Sequence, residues 1–449
     1  MIAGDELFQK SSEKTPSGTT REPPGARTGE YPADLLIVDV ALCLRAARYR
    51  LEQKDLERLP PSASRPALEL LGKILELNPT AASTAALRLG FFNNGFSWPA
   101  LVAFANAHEL LPPLVLALRQ RSLLFPVPQA ADADTRDKHI TSRLTSAYNE
   151  HLARQDDLRD QLVAIVAALN RRKITPLLIK GACHLTATEG WSLARGMRDL
   201  DLVVRPEQAD DAKDVLIALG YWSDDTSELS GQHHLAQMQR RDRHGAVEIH
   251  TAALAFNAAH VLTDDEIWQL SSSRNFQDAS FCALPAAWHL LHGVLHHQVS
   301  DRGHARYLLA LKGLWEFCMA ANELSNDEWR LIASHMEARG RLDVLSSWIV
   351  QANRLFGLAV PDVVQISDAA RDHADTTLRR AAWPYPARRA LFIADQLRFA
   401  FDRETLALRY DSDPGQSTLG IAGKHLVYLA RKYRGDALRR VVGSSKRVS

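Results

Sequence analysis

The chain has 449 residues, enough for about two or three domains. Its 54 lysines and arginines nearly balance its 53 aspartates and glutamates, which excludes a global electrostatic field that would steer the protein to nucleic acid or to a membrane. A hydrophobic content of 46% and a charged content of 24% are ordinary for a globular protein and argue against disorder over most of the length.

The predicted compartment follows from the cysteines and from the apolar runs. The four cysteines lie far apart and form no CxxC pair, which argues against a disulfide scaffold and a structural zinc site. Residues 1–30 lack the features of an export signal, and no apolar run reaches the roughly 18 residues of a membrane-spanning helix. We therefore expect a reduced, cytoplasmic protein without a membrane partner.

The N-terminal part of the chain is predicted to begin with a disordered segment, the lead-in, which short helices follow. Residues 1–33 are rich in Ser, Thr, Gly, Pro and charge, and this composition predicts disorder. Residues 34–134 have a helical pattern that is broken at Asn-Pro, Asn-Asn-Gly and Pro-Pro sequences. The predicted helices are 67–77, 84–89, 99–108 and 114–119.

Residues 135–284 predict a long helix and a small α/β unit. Apolar residues spaced by three or four positions indicate a helix over 135–172. The order that follows is strand, helix, strand, helix and hairpin, which is typical of an α/β fold. The predicted strands are 176–180, 199–205, 234–240 and 246–251, with a helix over 206–219.

The helical period returns from residue 285 to residue 434, and a basic tail occupies 435–449. The fold class is therefore α+β or α/β, with a small mixed sheet and its helices embedded between helical N- and C-terminal regions. The basic stretch over 424–447 is the one local signal for RNA or for an anionic substrate, although such stretches are most often solvated helix faces. The predicted C-terminal helices are 285–298, 304–322, 327–338, 342–355, 387–401 and 419–433.

Three acidic residues in predicted strands indicate a metal site. Asp199 and Asp201 flank Leu200, and side chains at positions i and i+2 share one face of a strand. Two carboxylates held so close repel unless a cation lies between them or one is protonated, and Mg²⁺ suits such oxygen ligands. Glu248, between two β-branched residues of another strand, could complete a set of three carboxylates able to hold two metal ions.

A phosphate-binding turn is predicted where the first strand meets a helix. Lys180 precedes Gly181 there, and a glycine lets the backbone approach a ligand closely. The N–H groups of a new helix favour phosphate, and Lys180 adds a positive charge.

Together these motifs resemble those of the uncharacterised bacterial nucleotidyltransferases of the DNA polymerase beta-like superfamily. The resemblance covers about residues 140–300 and is surest over 176–251. The motifs in chain order are Lys180-Gly181, Arg195-x-Met197-x-Asp199-Leu200-Asp201, Leu219-Gly220-Tyr221, His234 and Val247-Glu248-Ile249-His250.

The resemblance implies transfer of a nucleotidyl group from ATP or another nucleoside triphosphate to an acceptor hydroxyl or phosphate. The acceptor could be a small molecule, a protein or RNA. Mg²⁺ or Mn²⁺ would be held by Asp199, Asp201 and Glu248, which would be the catalytic residues. The residues implied to contact the nucleotide are Lys180, Gly181, Ala182 and Arg195; at Ala182 the wider superfamily usually has a serine.

Several histidines are candidates for lining the site. His250 shares a strand face with Glu248, and His234 and His292 are further candidates, although each could equally be a packed histidine. His289, His292 and His296 share one helical stripe, but no nearby acid completes a helical metalloprotease signature. We therefore interpret the stripe as polar residues that face the cleft.

Two other functions stay open at this point. A protein that kept the fold and lost catalysis would bind a nucleotide or a partner, and Ala182 favours this hypothesis mildly. A toxin-like nucleotidyltransferase that modifies tRNA or protein would use the same carboxylates. A metallohydrolase is less well supported, because no His/Asp ligand motif accompanies the acids.

Overall fold

The computed structural model describes residues 64–91, 98–124, 135–187, 190–223, 234–383, 385–402, 406, 410 and 420–427. The predicted lead-in over 1–33 and the tail over 435–449 lie outside these residues. Among the described helices, none combines the length and the apolar character that crossing a membrane requires.

Within the described residues, four short helices precede the α/β unit, as predicted. Arg121 ties the first, second and fourth of them together, since its buried guanidinium donates to the Lys73 carbonyl at 2.6 Å and to Thr84 Oγ1 at 3.0 Å. This contact satisfies a carbonyl at the end of the first helix, where the helix itself provides no donor. The helices are α1 (Ser64–Ile74), α2 (Ala81–Phe91), α3 (Trp98–Ala107) and α4 (Leu111–Gln120).

Within the described residues, six strands form one mixed sheet in the order β3-β4-β2-β1-β6-β5. β2 runs parallel to β4, β1 runs parallel to β6, and the other neighbours are antiparallel. The strands are β1 (Leu177–Leu178), β2 (Asp199–Val203), β3 (Met238–Gln239), β4 (Ala246–His250), β5 (Ser272–Phe276) and β6 (Ala279–Ala283).

The long predicted helix is α5 (Thr135–Arg171), and its C-terminal half packs on the sheet. Its buried stripe includes Leu158, Leu162 and Ile165, which are apolar residues at the predicted helical spacing. Two short helices complete this layer, α6 (Lys180–His184) and α7 (Ala209–Ala218).

The C-terminal helices pack against the N-terminal ones in a single apolar core. The two regions that flank the α/β unit in sequence touch directly, because Gly72 of α1 lies against the Leu355 carbonyl. Capping boxes at Thr263 and Ser325 begin two of these helices. The helices are α8 (Asp264–Leu270), α9 (Ala286–Leu295), α10 (Gly303–Arg306), α11 (Leu311–Ala321), α12 (Asn326–Ala338), α13 (Leu342–Phe356), α14 (Asp368–Ala381) and α15 (Tyr385–Ala400); residues 420–427 are also helical.

Several elements differ from the sequence-based prediction. The predicted helix over 304–322 is broken between α10 and α11, because Tyr307 adopts a left-handed backbone conformation with φ of 51°. The hairpin of β5 and β6 was not predicted, because β5 is an exposed polar edge strand with no apolar alternation. Helices α8 and α14 were also not predicted.

The turn before β4 provides a test of how this strand is positioned. Gly245 has φ of +75°, and a Cβ there would lie 2.8 Å from the Arg198 carbonyl oxygen and 2.7 Å from Leu158. Gly340 has φ of +63°, and a Cβ there would meet no atom of the described part of the chain within 4 Å. We expect Gly340→Ala to lower the free energy of unfolding by about 1–2 kcal/mol, because of its backbone conformation alone. Gly245→Ala should lower it by about 2 kcal/mol more, because of the added clash. Urea denaturation of both variants measures the difference, and equal midpoints would contradict it.

Candidate active site

The register of β2 on β4 brings the predicted acids together. Asp201 lies directly opposite Glu248, and Asp199 lies opposite Ala246 two residues earlier. Because alternate residues of a strand share a face, Asp199 and Asp201 lie on the face of the sheet that also holds Glu248.

Asp201 is the most buried of the three acids, with 2% of its surface exposed. Its Oδ1 accepts hydrogen bonds from Lys180 Nζ at 2.8 Å and from His250 Nε2 at 2.9 Å. Burial alone favours the neutral acid, but these bonds and the charge of Lys180 outweigh it and hold the pKa of Asp201 well below its usual range. Asp201 is therefore a charged carboxylate in the core.

His250 joins two of the acids. Its Nε2 also lies 3.5 Å from Glu248 Oε2, while Glu248 Oε1 accepts a bond from Gln237. Burial opposes the charged imidazole, yet the hydrogen bonds to Asp201 and Glu248 raise the pKa of His250 above its ordinary value. The hydrogen bond from His250 in turn lowers the pKa of Glu248. Ligand atoms of Asp201, Glu248 and His250 all lie within 4.8 Å of one another, close enough to hold one metal ion.

Asp199 has the opposite electrostatic character. Burial raises the pKa of Asp199, and the negative charges of Asp201 and Glu248 raise it further. A cation placed among the three acids would remove this repulsion. The position is therefore suited to a divalent ion with oxygen ligands.

Asp199 and Asp201 line a cavity of about 270 Å³, and its basic wall consists of Lys180, Arg195, Arg198 and Lys312. Arg195 Nε lies 3.1 Å from Glu316, and Arg198 Nε lies 2.9 Å from Glu109. Lys312 Nζ lies 2.7 Å from Glu109. Glu109 follows α3, whereas Lys312 and Glu316 belong to α11, so both helical regions contribute walls to a cavity whose floor is β2.

Residues 94–357 match a family model that is described as an uncharacterised nucleotidyltransferase. The chain belongs to this family. The matched span is more than half of the chain and contains the whole sheet, the three acids and the basic wall. No significant match was found among curated proteins or among solved structures. Family membership supports nucleotidyl transfer as the general function.

The residues that the family resemblance assigns to the nucleotide lie in different environments. A Cβ at Gly181 would lie 2.1 Å from Arg195 Nη1, so the glycine makes room for this guanidinium at the cavity wall. Ala182 is fully buried, and its N–H donates to the Ile179 carbonyl at 3.2 Å. Lys180 and Arg195 both line the cavity, while a nucleotide contact through Ala182 stays a prediction.

The candidate histidines are mostly packed. His292 is buried, its Nε2 lies 2.9 Å from the Ala253 carbonyl oxygen, and burial lowers its pKa to about 4. The His234 ring lies beside that of His250, with centroids 5.4 Å apart and planes inclined by 56°. His289 and His296 line the cavity with His292, as expected for a stripe that faces the cleft.

Sequence reasoning missed four charged residues that line the cavity, which are Glu109, Arg198, Lys312 and Glu316. Arg198 had a local signal, because it directly precedes Asp199 in the motif. Glu109 and Lys312 are 203 positions apart and are joined only by the packing of the two helical regions. No local pattern indicates that pairing.

The pair of Asp201 and His250 predicts a specific pH dependence of stability. The stability that His250 adds to the folded state is fully present below pH 6.5, its ordinary pKa, and is lost as the pH rises through its raised pKa. The stability that Asp201 adds is fully present above pH 3.8, its ordinary pKa, and is lost as the pH falls through its lowered pKa. Both contributions are present between pH 3.8 and pH 6.5. In this range, with a chelator present, His250→Gln should lower the free energy of unfolding by about 3 kcal/mol, because it breaks a buried pair.

Melting temperatures of the wild type and His250→Gln, measured from about pH 5 to about pH 9, check this prediction. The difference should be largest at the acidic end and should shrink above the raised pKa of His250. His335→Gln is the control, because His335 Nε2 lies 2.8 Å from the Val261 carbonyl oxygen, outside the group of Asp201, Glu248 and His250. A difference that grows toward alkaline pH would contradict the prediction.

Proposed function

We propose that the protein transfers a nucleoside monophosphate from a nucleoside triphosphate to an acceptor, with Asp199, Asp201 and Glu248 as metal-binding catalytic residues. The observation that supports this most is that Asp199 and Asp201 share one cavity with a basic wall, while Glu248 lies opposite Asp201 on the neighbouring strand. Such a cavity offers separate positions for cations and for phosphates, which a triphosphate requires together.

The donor set fits Mg²⁺ or Mn²⁺. Carboxylate oxygens are the ligands that these hard cations prefer, and the raised pKa of Asp199 reflects a repulsion that a bound cation relieves. Two such ions, when bound, would neutralise the triphosphate, lower the pKa of the acceptor oxygen and stabilise the pyrophosphate. In the protein itself, Lys180 and His250 keep Asp201 ionised and fix its orientation.

The basic wall is the proposed phosphate-binding surface. Lys180, Arg195, Arg198 and Lys312 all line the cavity. Arg195 and Arg198 present planar guanidinium groups, which match phosphate oxygens in pairs, and Lys312 presents a compact charge. Their glutamate partners hold these side chains in place before a ligand binds.

The acceptor is a small molecule, a protein or RNA, and nothing in the cavity selects among them. A catalytically inactive nucleotide-binding protein stays the alternative hypothesis. The engaged N–H of Ala182 favours it mildly, because that amide is not oriented toward a ligand.

Asp201→Asn tests the metal-binding role of the acids. The neutral amide removes a carboxylate ligand, so nucleotidyl transfer from α-labelled triphosphate should be abolished. Mg²⁺-dependent stabilisation by triphosphate should also be lost; in the wild type it reaches about 2.7 kcal/mol at 100 times the dissociation constant. Each triphosphate is tested by thermal melting with and without Mg²⁺.

Asp242→Asn is the matched control for that experiment, because Asp242 is exposed and pairs with Arg240 away from the cavity. It should behave as the wild type. Full transfer activity in Asp201→Asn would overturn the catalytic assignment. The absence of a melting shift with any triphosphate in the wild type would favour a protein that binds a partner instead.

Lys312→Ala tests the basic wall. Loss of a charge-assisted contact of about 1.5–3 kcal/mol should weaken triphosphate binding by about 10- to 100-fold. Lys73→Ala removes an exposed lysine of α1 and should leave binding unchanged. Isothermal titration of both variants with triphosphate and Mg²⁺ gives the affinities, and equal affinities would exclude Lys312 from the binding surface.

A further inference from the structure

A second group of metal-compatible ligands lies at the end of α9, apart from the three acids. His296 Nε2 and His297 Nδ1 each lie 3.7 Å from Asp301 Oδ2, and one ligand atom from each residue falls within 4.8 Å of the others. These distances exceed those of hydrogen bonds. The three groups therefore converge on one point without bonding to one another.

The backbone between them explains this convergence. Residues His296–Ser300 form a π-helical turn, in which the Asp301 N–H donates to the His296 carbonyl at 2.9 Å. A π turn inserts one extra residue into a helix and brings positions i and i+5 to the same side, and such turns often occur at functional sites. Arg302 then ends the turn in a left-handed conformation.

The surrounding chain holds the His297 ring in place. A Cβ at Gly313 would lie 2.3 Å from His297 Cδ2, and a Cβ at Gly303 would lie 2.5 Å from the His297 carbonyl oxygen. The ring also stacks over Trp348, with centroids 6.3 Å apart and planes 19° from parallel. Two glycines and a buried tryptophan thus fix the direction in which Nδ1 points.

We propose that His296, His297 and Asp301 form a binding site for a transition-metal ion of the zinc class. Two imidazoles and one carboxylate form a ligand set that suits Zn²⁺ far better than Mg²⁺. Ligand bonds of about 2.0–2.1 Å at tetrahedral angles place donor atoms about 3.3 Å apart, which is close to the 3.7 Å from each histidine nitrogen to Asp301 Oδ2.

The site is open to the cavity, because His296 and His297 are among the residues that line it. Three protein ligands leave a fourth position for a water or a substrate oxygen, as catalytic zinc sites do.

Co²⁺ binding to the full-length protein tests the proposal, because four-coordinate Co²⁺ has intense visible absorption. Metal-stripped wild type, titrated in excess Mg²⁺, should bind Co²⁺ stoichiometrically. Asp301→Asn and His296→Ala should each weaken this binding by more than about 100-fold, since loss of an outer-shell partner alone costs about 10- to 100-fold. Asp301 is 58% exposed, so its replacement leaves the packing intact.

Two controls separate this site from the one described above. Asp201→Asn should keep Co²⁺ binding, and so should His335→Ala, which removes a histidine of α12 outside the cluster. The proposal is overturned if the wild type binds no stoichiometric Co²⁺. It is also overturned if Asp301→Asn and His296→Ala bind Co²⁺ as the wild type does, or if Asp201→Asn alone abolishes binding, because the ion would then occupy the three acids.

Discussion

The parallel pairing of β2 with β4 is the constraint on which the site depends. It places Asp201 opposite Glu248 in the middle of a buried sheet, and a shift of one residue would move each side chain to the other face. Negative charge in such a place is costly unless it has partners. Lys180 and His250 supply those partners for Asp201, which makes the strand register and the charge pattern mutually dependent.

The helical regions are part of the site rather than additions to it. α11 supplies Lys312 and Glu316, the segment after α3 supplies Glu109, and the shared apolar core of these regions fixes their distances from the acids. The family match reaches from residue 94 to residue 357 and therefore includes both walls of the cavity. A minimal sheet with its helices would lack Lys312 and the two glutamates that pair with Arg195 and Arg198.

Local rules were sufficient for most of the helices and for the central strands that hold the acids. The spacing of Asp199 and Asp201 determined their shared face, and the stripe of α5 determined its buried side. The hairpin of β5 and β6 gave no signal, because an exposed polar edge strand has no alternation. The contact of Lys312 with Glu109 could not be predicted, because it depends on packing between distant segments. The need for glycine at position 181 could not be predicted either, because it depends on the Arg195 guanidinium, which occupies the space of a side chain there.

The proposed function requires the acids of β2 and β4 to hold the metal ions that bind a triphosphate. Anomalous diffraction from crystals grown with Mn²⁺ and a non-hydrolysable triphosphate analogue tests this requirement most directly. The account predicts Mn²⁺ peaks within coordination distance of Asp199, Asp201 and Glu248, with the analogue's phosphates against the basic wall. A bound analogue with no Mn²⁺ at these three carboxylates would contradict it.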